Sequence, residues 1–268
     1  MNIQGKVFVV TGGGNGIARE LVLQLLKKGG KVAAVDISDK GLKETVGLAG
    51  DLKANITTYI VNITDRAAVA ALPDKIIAAH SVVDCLVNCA GIIERFVRVK
   101  DLTYEDIDRV LNVNLYGTIN MTKEFLPLLL ARPDAHLVNV SSMGGFLPVP
   151  GQTIYGASKA AVKLFTEGLY SELLDTKVGV TAVFPGAIGT NIAANSGVMP
   201  PGGATAAESK IKMTAPPVAA EKILKGIEKN TYHVFIGSDS NMMDFLVRLM
   251  PKRATRIIYN QMKSIMPQ

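Results

Sequence analysis

The chain has 268 residues, 48% of them hydrophobic, and a net charge of +6. That length holds a large core, and the absence of any run of about 18 uncharged apolar residues argues against a transmembrane helix. Lys and Arg are scattered with no basic run interleaved with aromatics, which argues against nucleic-acid binding. In chain order, short Val- and Ile-rich runs alternate with longer amphipathic segments. Strands are predicted at 7–10, 32–35, 58–61, 85–88, 135–140, 178–184 and 233–236, and helices at 17–28, 40–49, 66–80, 104–130, 155–176 and 219–229. The run at 7–10 leads straight into a glycine turn and reads as a strand rather than as part of a signal peptide. Such alternation implies an α/β fold: a single doubly wound parallel sheet with helices on both faces.

Cys85 and Cys89 fall on and beside the fourth strand. At about 3.3 Å per residue their α-carbons are roughly 13 Å apart, whereas a disulfide needs less than about 7 Å. Free thiols in a reducing compartment follow, and the expected location is cytoplasmic. The three histidines, His80, His136 and His233, are dispersed, so no metal site is expected.

No internal repeat or long polar linker divides the chain. Residues 1–251 read as one domain. Within it, 191–217 is rich in Gly, Ala, Pro and Ser and lacks a period, as expected of a substrate lid after the sixth strand. Residues 252–268 read as a basic amphipathic tail. It carries Lys252, Arg253, Arg256 and Lys263 beside Ile257, Ile258, Met262 and Ile265. Contact with an anionic membrane is one expectation for it, and packing on a neighbouring subunit or on the lid is the other.

The first strand runs into Thr11-Gly12-Gly13-Gly14-Asn15-Gly16-Ile17-Ala18, and a helix follows. Glycines allow a tight turn and close approach of backbone to a pyrophosphate, and a helix N-terminus offers free N–H groups. Twenty residues after Gly16 the second strand ends in Asp36. A carboxylate there accepts bonds from the adenosine ribose hydroxyls and repels the extra phosphate of NADP. Neither Asn15 nor Ile37 supplies a cation for that phosphate, so NAD is the expected cofactor.

These residues resemble the short-chain dehydrogenase/reductase family over about residues 5–236. Thr11-Gly12-x-x-x-Gly16-x-Ala18 looks like its cofactor turn, and Asn88-Cys89-Ala90-Gly91 looks like its N-N-A-G motif with cysteine at the second position. Asn114 sits where the family has a helix asparagine. Ser141-Ser142 follows the fifth strand, Tyr155-Gly156-Ala157-Ser158-Lys159 matches Y-x-x-x-K, and Pro185-Gly186-Ala187-Ile188-Gly189-Thr190 resembles the segment that holds the nicotinamide. Six motifs in order imply a Rossmann-type oxidoreductase acting between NAD and a secondary alcohol or ketone.

The resemblance implies a cofactor site of Gly12, Asn15, Gly16, Ile17, Asp36, Ile37, Asn88, Ala90, Gly91, Tyr155, Lys159, Pro185, Gly186, Ile188 and Thr190. Asn62 and Ile63 join it where the family often has Asp and an apolar residue. There the Asn62 oxygen would accept from the adenine amino group.

Tyr155 and Lys159 are four apart on a predicted helix and share a face. Free tyrosine has a pKa near ~10, and a nearby cation lowers it, so Lys159 is expected to tune Tyr155 as the acid/base. Ser142 is expected to hold the substrate oxygen, and Asn114 to hold a water that relays protons from Lys159. Met143, Phe146 and the lid residues Ile192, Val198, Met199 and Met213 suggest a hydrophobic substrate. A homodimer or homotetramer, through the helices carrying Asn114 and Tyr155, is the assembly the resemblance implies. Two alternatives stand beside this reading: an NADPH-linked ketoacyl-type reductase, which Asp36 disfavours, and a catalytically silent nucleotide sensor, which has no use for Ser142, Tyr155 and Lys159 together.

Overall fold

The computed structural model describes residues 1–198 and 213–263. Seven strands form one sheet: β1 Val7–Thr11, β2 Lys31–Asp36, β3 Ile56–Ile60, β4 Cys85–Asn88, β5 Ala135–Val140, β6 Val178–Pro185 and β7 His233–Ile236. Every pairing is parallel, in the order β3-β2-β1-β4-β5-β6-β7. β1, β4 and β5 are buried throughout, as strands covered on both faces must be.

Alternate residues of each strand serve two cores. Phe8, Val10, Val32 and Ala34 meet α1 (Gly16–Lys27) and α9 (Pro216–Glu228) through Leu21, Leu25, Ile223 and Leu224. Val9, Ala33, Val35 and Leu86 meet the other face, where α4 (Leu72–His80), α6 (Gly117–Leu130) and α7 (Thr153–Glu172) bring Ile76, Met121, Phe125 and Leu169. Between these lie α2 (Asp39–Ala49), α3 (Arg66–Ala70) and α5 (Tyr104–Leu111). The doubly wound expectation holds.

Three predicted helices differ in detail. The segment 66–80 breaks at Ala71 into α3 and α4, because Pro73 has no N–H to continue the first helix and starts the second instead. The segment 104–130 is interrupted by a π-helical turn, Asn112–Tyr116, whose extra residue resets the phase between α5 and α6. α7 ends at Glu172, short of the predicted 176.

The C-terminal region forms two helices. α10 (Ser238–Leu249), which no prediction covered, is followed by α11 (Pro251–Met262). Ala254 and Ile258 of α11 are buried with Leu147 and Met243, so this part of the tail is packed on the domain rather than standing apart from it. Lys252, Arg253, Arg256 and Ile257 remain on the outer face. No helix among the described residues is long and apolar enough to cross a membrane. Of the expected lid, residues 199–212, including Met199, lie outside the described residues, as do residues 264–268 of the tail.

Candidate active site

The glycine turn sits where β1 gives way to α1, at the carboxyl ends of the strands. Gly12 has φ +77°, and a β-carbon there would lie 3.1 Å from the Ala90 α-carbon, so only glycine lets the two loops touch. Thr11 locks that contact: its hydroxyl accepts from the N–H groups of Cys89 and Ala90 at 3.0 and 3.1 Å. Gly16 also has positive φ, +55°, and faces the Thr190 side chain. Asn15 caps α1 and reaches Asn195 of α8 (Ile192–Asn195), joining the turn to the start of the lid. Ile17 is half-buried against the core.

Asp36 ends β2 beside this turn. One carboxylate oxygen accepts from Gly14 N–H at 2.9 Å, the other from Ser38 N–H at 2.9 Å. Ile37 is exposed. Arg19, which the sequence reading passed over, lies nearby. Its guanidinium donates to the Gly14 and Gly41 carbonyls and pairs with Glu44 at 2.8 Å.

Three expected cofactor residues are engaged within the protein. The Asn62 oxygen already accepts from Thr64 N–H and hydroxyl at 3.1 and 2.9 Å, a local turn that occupies the acceptor assigned to adenine. Ile63 is buried against Gly117, where a β-carbon would fall 2.6 Å from it. Asn88 points away from the turn: its amide nitrogen donates to Thr122 and Asn139, bracing β4 against α6 and β5. Ala90 and Gly91, by contrast, line the turn and the catalytic helix.

After β6, Pro185 leads into Gly186, whose N–H donates to Ile236. Ile188 bridges to Thr214, and Thr190 faces Gly16. Ser196, just after α8, is buried. Its hydroxyl accepts from Ile93 N–H at 3.0 Å, and its carbonyl accepts from Arg109 at 2.7 Å, tying the first part of the lid to the loop after β4 and to α5.

The four predicted catalytic residues converge at the ends of β4 and β5. Of the adjacent serines, Ser141 is structural, donating to the Lys159 carbonyl at 2.7 Å. Ser142 caps the short turn Met143–Gly145, accepting from Gly144 N–H at 3.1 Å, and Ser142 Oγ and the Tyr155 ring flank Gly144 together. Lys159 is buried with Nζ 2.9 Å from the Val140 carbonyl and 5.9 Å from the Tyr155 ring centre. Asn114, in the π turn, is also buried. Its Oδ1 accepts from Ile92 N–H at 2.9 Å, while Nδ2 donates to the Ile92 carbonyl and to Ser158 at 2.9 and 3.0 Å. Gly91 lies between Lys159 Nζ and Asn114 Oδ1, close enough that a β-carbon would touch both.

The electrostatics revise one expectation. Burial pushes the Tyr155 phenol above its ordinary value, the Ser142 hydroxyl opposes this, and the Glu94 carboxylate, followed by Cys89, adds to the rise. Lys159 does not overcome these, because its ammonium is turned onto the Val140 carbonyl and burial brings its own pKa down to about 8. Cys89 is a half-buried thiol pushed up to about 12, first by its removal from water, with Lys159 opposing. Both cysteines are free, and no metal-like cluster of His, Cys, Asp and Glu occurs among the described residues.

Met143 and Phe146 are both half-buried. They pack with α10 and α11, and Phe146 meets Phe184 edge-on at 5.7 Å. A cleft of about 630 Å³, which Phe146 lines, opens between residues 144–160 and α11, walled by Pro148, Pro150 and Ala157 on one side and by Lys252, Arg256 and Tyr259 on the other.

The short chain dehydrogenase family model matches residues 6–200. The "Putative oxidoreductase SadH" of Mycobacterium tuberculosis is 37% identical over 263 residues, covering 96% of this chain and 95% of its own. A short chain dehydrogenase/reductase from Burkholderia phymatum, crystallised with NAD, superposes with a TM-score of 0.82 at 25% identity, covering 93% of this chain and 96% of that one. A short chain dehydrogenase from Burkholderia cenocepacia, crystallised with NADP, gives 0.80 at 25% identity, with 96% and 99% covered. The chain belongs to the short-chain dehydrogenase/reductase family of oxidoreductases, whose cofactor is a nicotinamide dinucleotide, NAD or NADP.

Proposed function

We propose that the protein transfers a hydride between NAD(H) and a hydrophobic secondary alcohol or ketone, with Tyr155 as acid/base. The observation that carries this reading is the clustering of Lys159 and Asn114 at Gly91 with Tyr155 beside Lys159 and Ser142 beside Tyr155 at Gly144. Bound nicotinamide supplies the hydride acceptor or donor, and its oxidised ring brings a positive charge. The chain's own residues handle the proton and the geometry. Ser142, whose oxygen accepts from Gly144, would turn its proton to the substrate oxygen. Tyr155 takes the alcohol proton in oxidation or gives one to the carbonyl oxygen in reduction, a transfer worth about 10²–10⁴-fold. Lys159, with a pKa of about 8, is charged at neutral pH and still able to exchange a proton, which fits both ribose binding and relay. Asn114 and Lys159 approach Gly91 together, which supports a relay through one bridging water.

Preference for NAD is supported by Asp36 at the end of β2 and by Arg19, whose guanidinium is already held by Glu44 and two carbonyls. A hydrophobic substrate is supported by the apolar wall of the cleft beside α7, Phe146, Pro148 and Ala157. Exposed Tyr116 and Leu164, on the π turn and on α7, support a homo-oligomer. The test is production of NADH or NADPH across a panel of secondary alcohols from small polyols to lipid- and steroid-like molecules. Turnover with NAD on apolar members is expected. Preference for NADP would overturn the Asp36 argument, and turnover confined to polyols would overturn the substrate class.

A further inference from the structure

Glu94 is a fully buried carboxylate that the reaction described above leaves without a part. It lies three residues past Gly91, in the loop after β4, yet its partners are sixty residues away on α7. One oxygen accepts from Ile154 N–H at 3.0 Å and the other from the N–H of Tyr155 itself at 2.9 Å. The backbone of Glu94 is fastened as well, its carbonyl accepting from the Gln152 side chain at 2.9 Å. Gln152, immediately before α7, makes no side-chain cap of its own to the helix. Glu94 therefore does from a distance what a local cap residue does elsewhere, satisfying first-turn N–H groups with a charge-assisted pair of bonds.

We propose that Glu94 is a positioning residue for the proton transfer: by gripping the backbone of Tyr155 from the loop after β4 it fixes where the phenol stands against Ser142. A surface aspartate or serine would cap the helix at less cost, since a buried carboxylate carries a large desolvation penalty. The two backbone bonds offset part of that penalty, and burial still holds Glu94 above the usual carboxylate range, with Asp106 of α5 adding to the rise. The groups facing Tyr155 are few: Ser142 after β5, Cys89 and Glu94 after β4, and Lys159 one turn along α7. Among them Glu94 is the acid whose charge opposes phenolate and whose atoms also hold the tyrosine backbone. Base strength and geometry are thereby tied to one side chain.

This inference rests on Tyr155 as the acid/base, so its test includes a readout that needs no turnover. The chain is labelled at the tyrosine ring carbon bearing the hydroxyl, Tyr155 is assigned by the signal missing in Tyr155→Phe, and its ionisation is followed by NMR across pH. In Glu94→Gln the size is kept and the charge removed, and the Tyr155 midpoint is expected to fall by about one pH unit. The low-pH limb of alcohol oxidation should move with it, and kcat should drop by up to about tenfold at unchanged KM for the dinucleotide. Glu94→Asp keeps the charge but shortens the reach. It should hold the midpoint near the parent value while still lowering kcat, and it keeps the idea testable if the glutamine variant does not fold. A Glu94→Gln protein with lowered thermal stability and an unmoved Tyr155 midpoint would reduce Glu94 to a structural cap, as would a Glu94→Asp protein with parental kcat. Lack of turnover in every variant, with the midpoint still shifting, would indict the substrate panel and leave Glu94 standing.

Discussion

The two halves of the site are built from different materials. The nucleotide half is largely backbone: Gly12 and Gly16 at positive φ, the first turn of α1, and Thr11 hydroxyl pinned under Cys89 and Ala90. The half proposed for catalysis is largely buried side chain: Asn114 on Ser158, Lys159 on the Val140 carbonyl, and Glu94 on the N–H groups of Ile154 and Tyr155. Backbone recognition costs little stability, because glycine offers N–H groups without burying charge. Side-chain chemistry does cost stability, since each buried ionisable group is held away from water. The nucleotide half should therefore fail by steric change, and the catalytic half should become more stable when its chemistry is removed.

The largest expected effect is on Lys159. Its ordinary value of 10.5 falls to about 8 in the folded chain, a difference corresponding to about 3 kcal/mol. The folded state binds this proton less tightly than the unfolded state. The penalty is therefore complete below pH 8, shrinks as pH rises, and is gone above pH 10.5. Lys159→Met should lose turnover by about 10²-fold or more. It should also unfold at higher denaturant concentration than the parent at pH 7, after about 1 kcal/mol is subtracted for the lost bond to Val140. That advantage should disappear by the top of the pH range. A variant that is inactive and less stable at pH 7 would break the comparison.

A smaller effect is expected in the other half. Gly12→Ala forces a side chain into φ +77° and against Ala90, a strain of about 1–2 kcal/mol. Dinucleotide affinity measured by calorimetry should weaken by about tenfold or more. The Tyr155 ionisation midpoint should stay where it is. Movement of that midpoint would mean that the halves are coupled more closely than their separate construction implies.

What could be read from sequence follows the same division. The strands, Gly12, Gly16, Asp36 and the Tyr155–Lys159 pair are local patterns: alternating burial, turns that demand glycine, a spacing of four on a helix. The interruption at Ala71 was also written locally, in Pro73, though the apolar period masked it. Glu94 was illegible, because its partners are backbone N–H groups sixty residues on and backbone has no sequence. The same holds for Ser196, whose contacts are to Ile93 N–H and Arg109. α10 offers Met243, Leu246 and Val247 at helical spacing, but that short stripe acquires meaning only when Leu147 and Ala254 arrive to cover it. The direction of the Tyr155 shift was misjudged for a related reason. Spacing put Lys159 on the right face, while the Val140 carbonyl, which holds its ammonium, is a contact between elements.

The most direct measurement is steady-state NADH production by the parent chain and by Tyr155→Phe on the best alcohol of the panel, with NAD affinity determined for both. Loss of turnover by about 10²–10⁴-fold with NAD affinity kept within a few-fold is the predicted result. Turnover in Tyr155→Phe close to that of the parent would contradict Tyr155 as the acid/base and, with it, the account of the catalytic half.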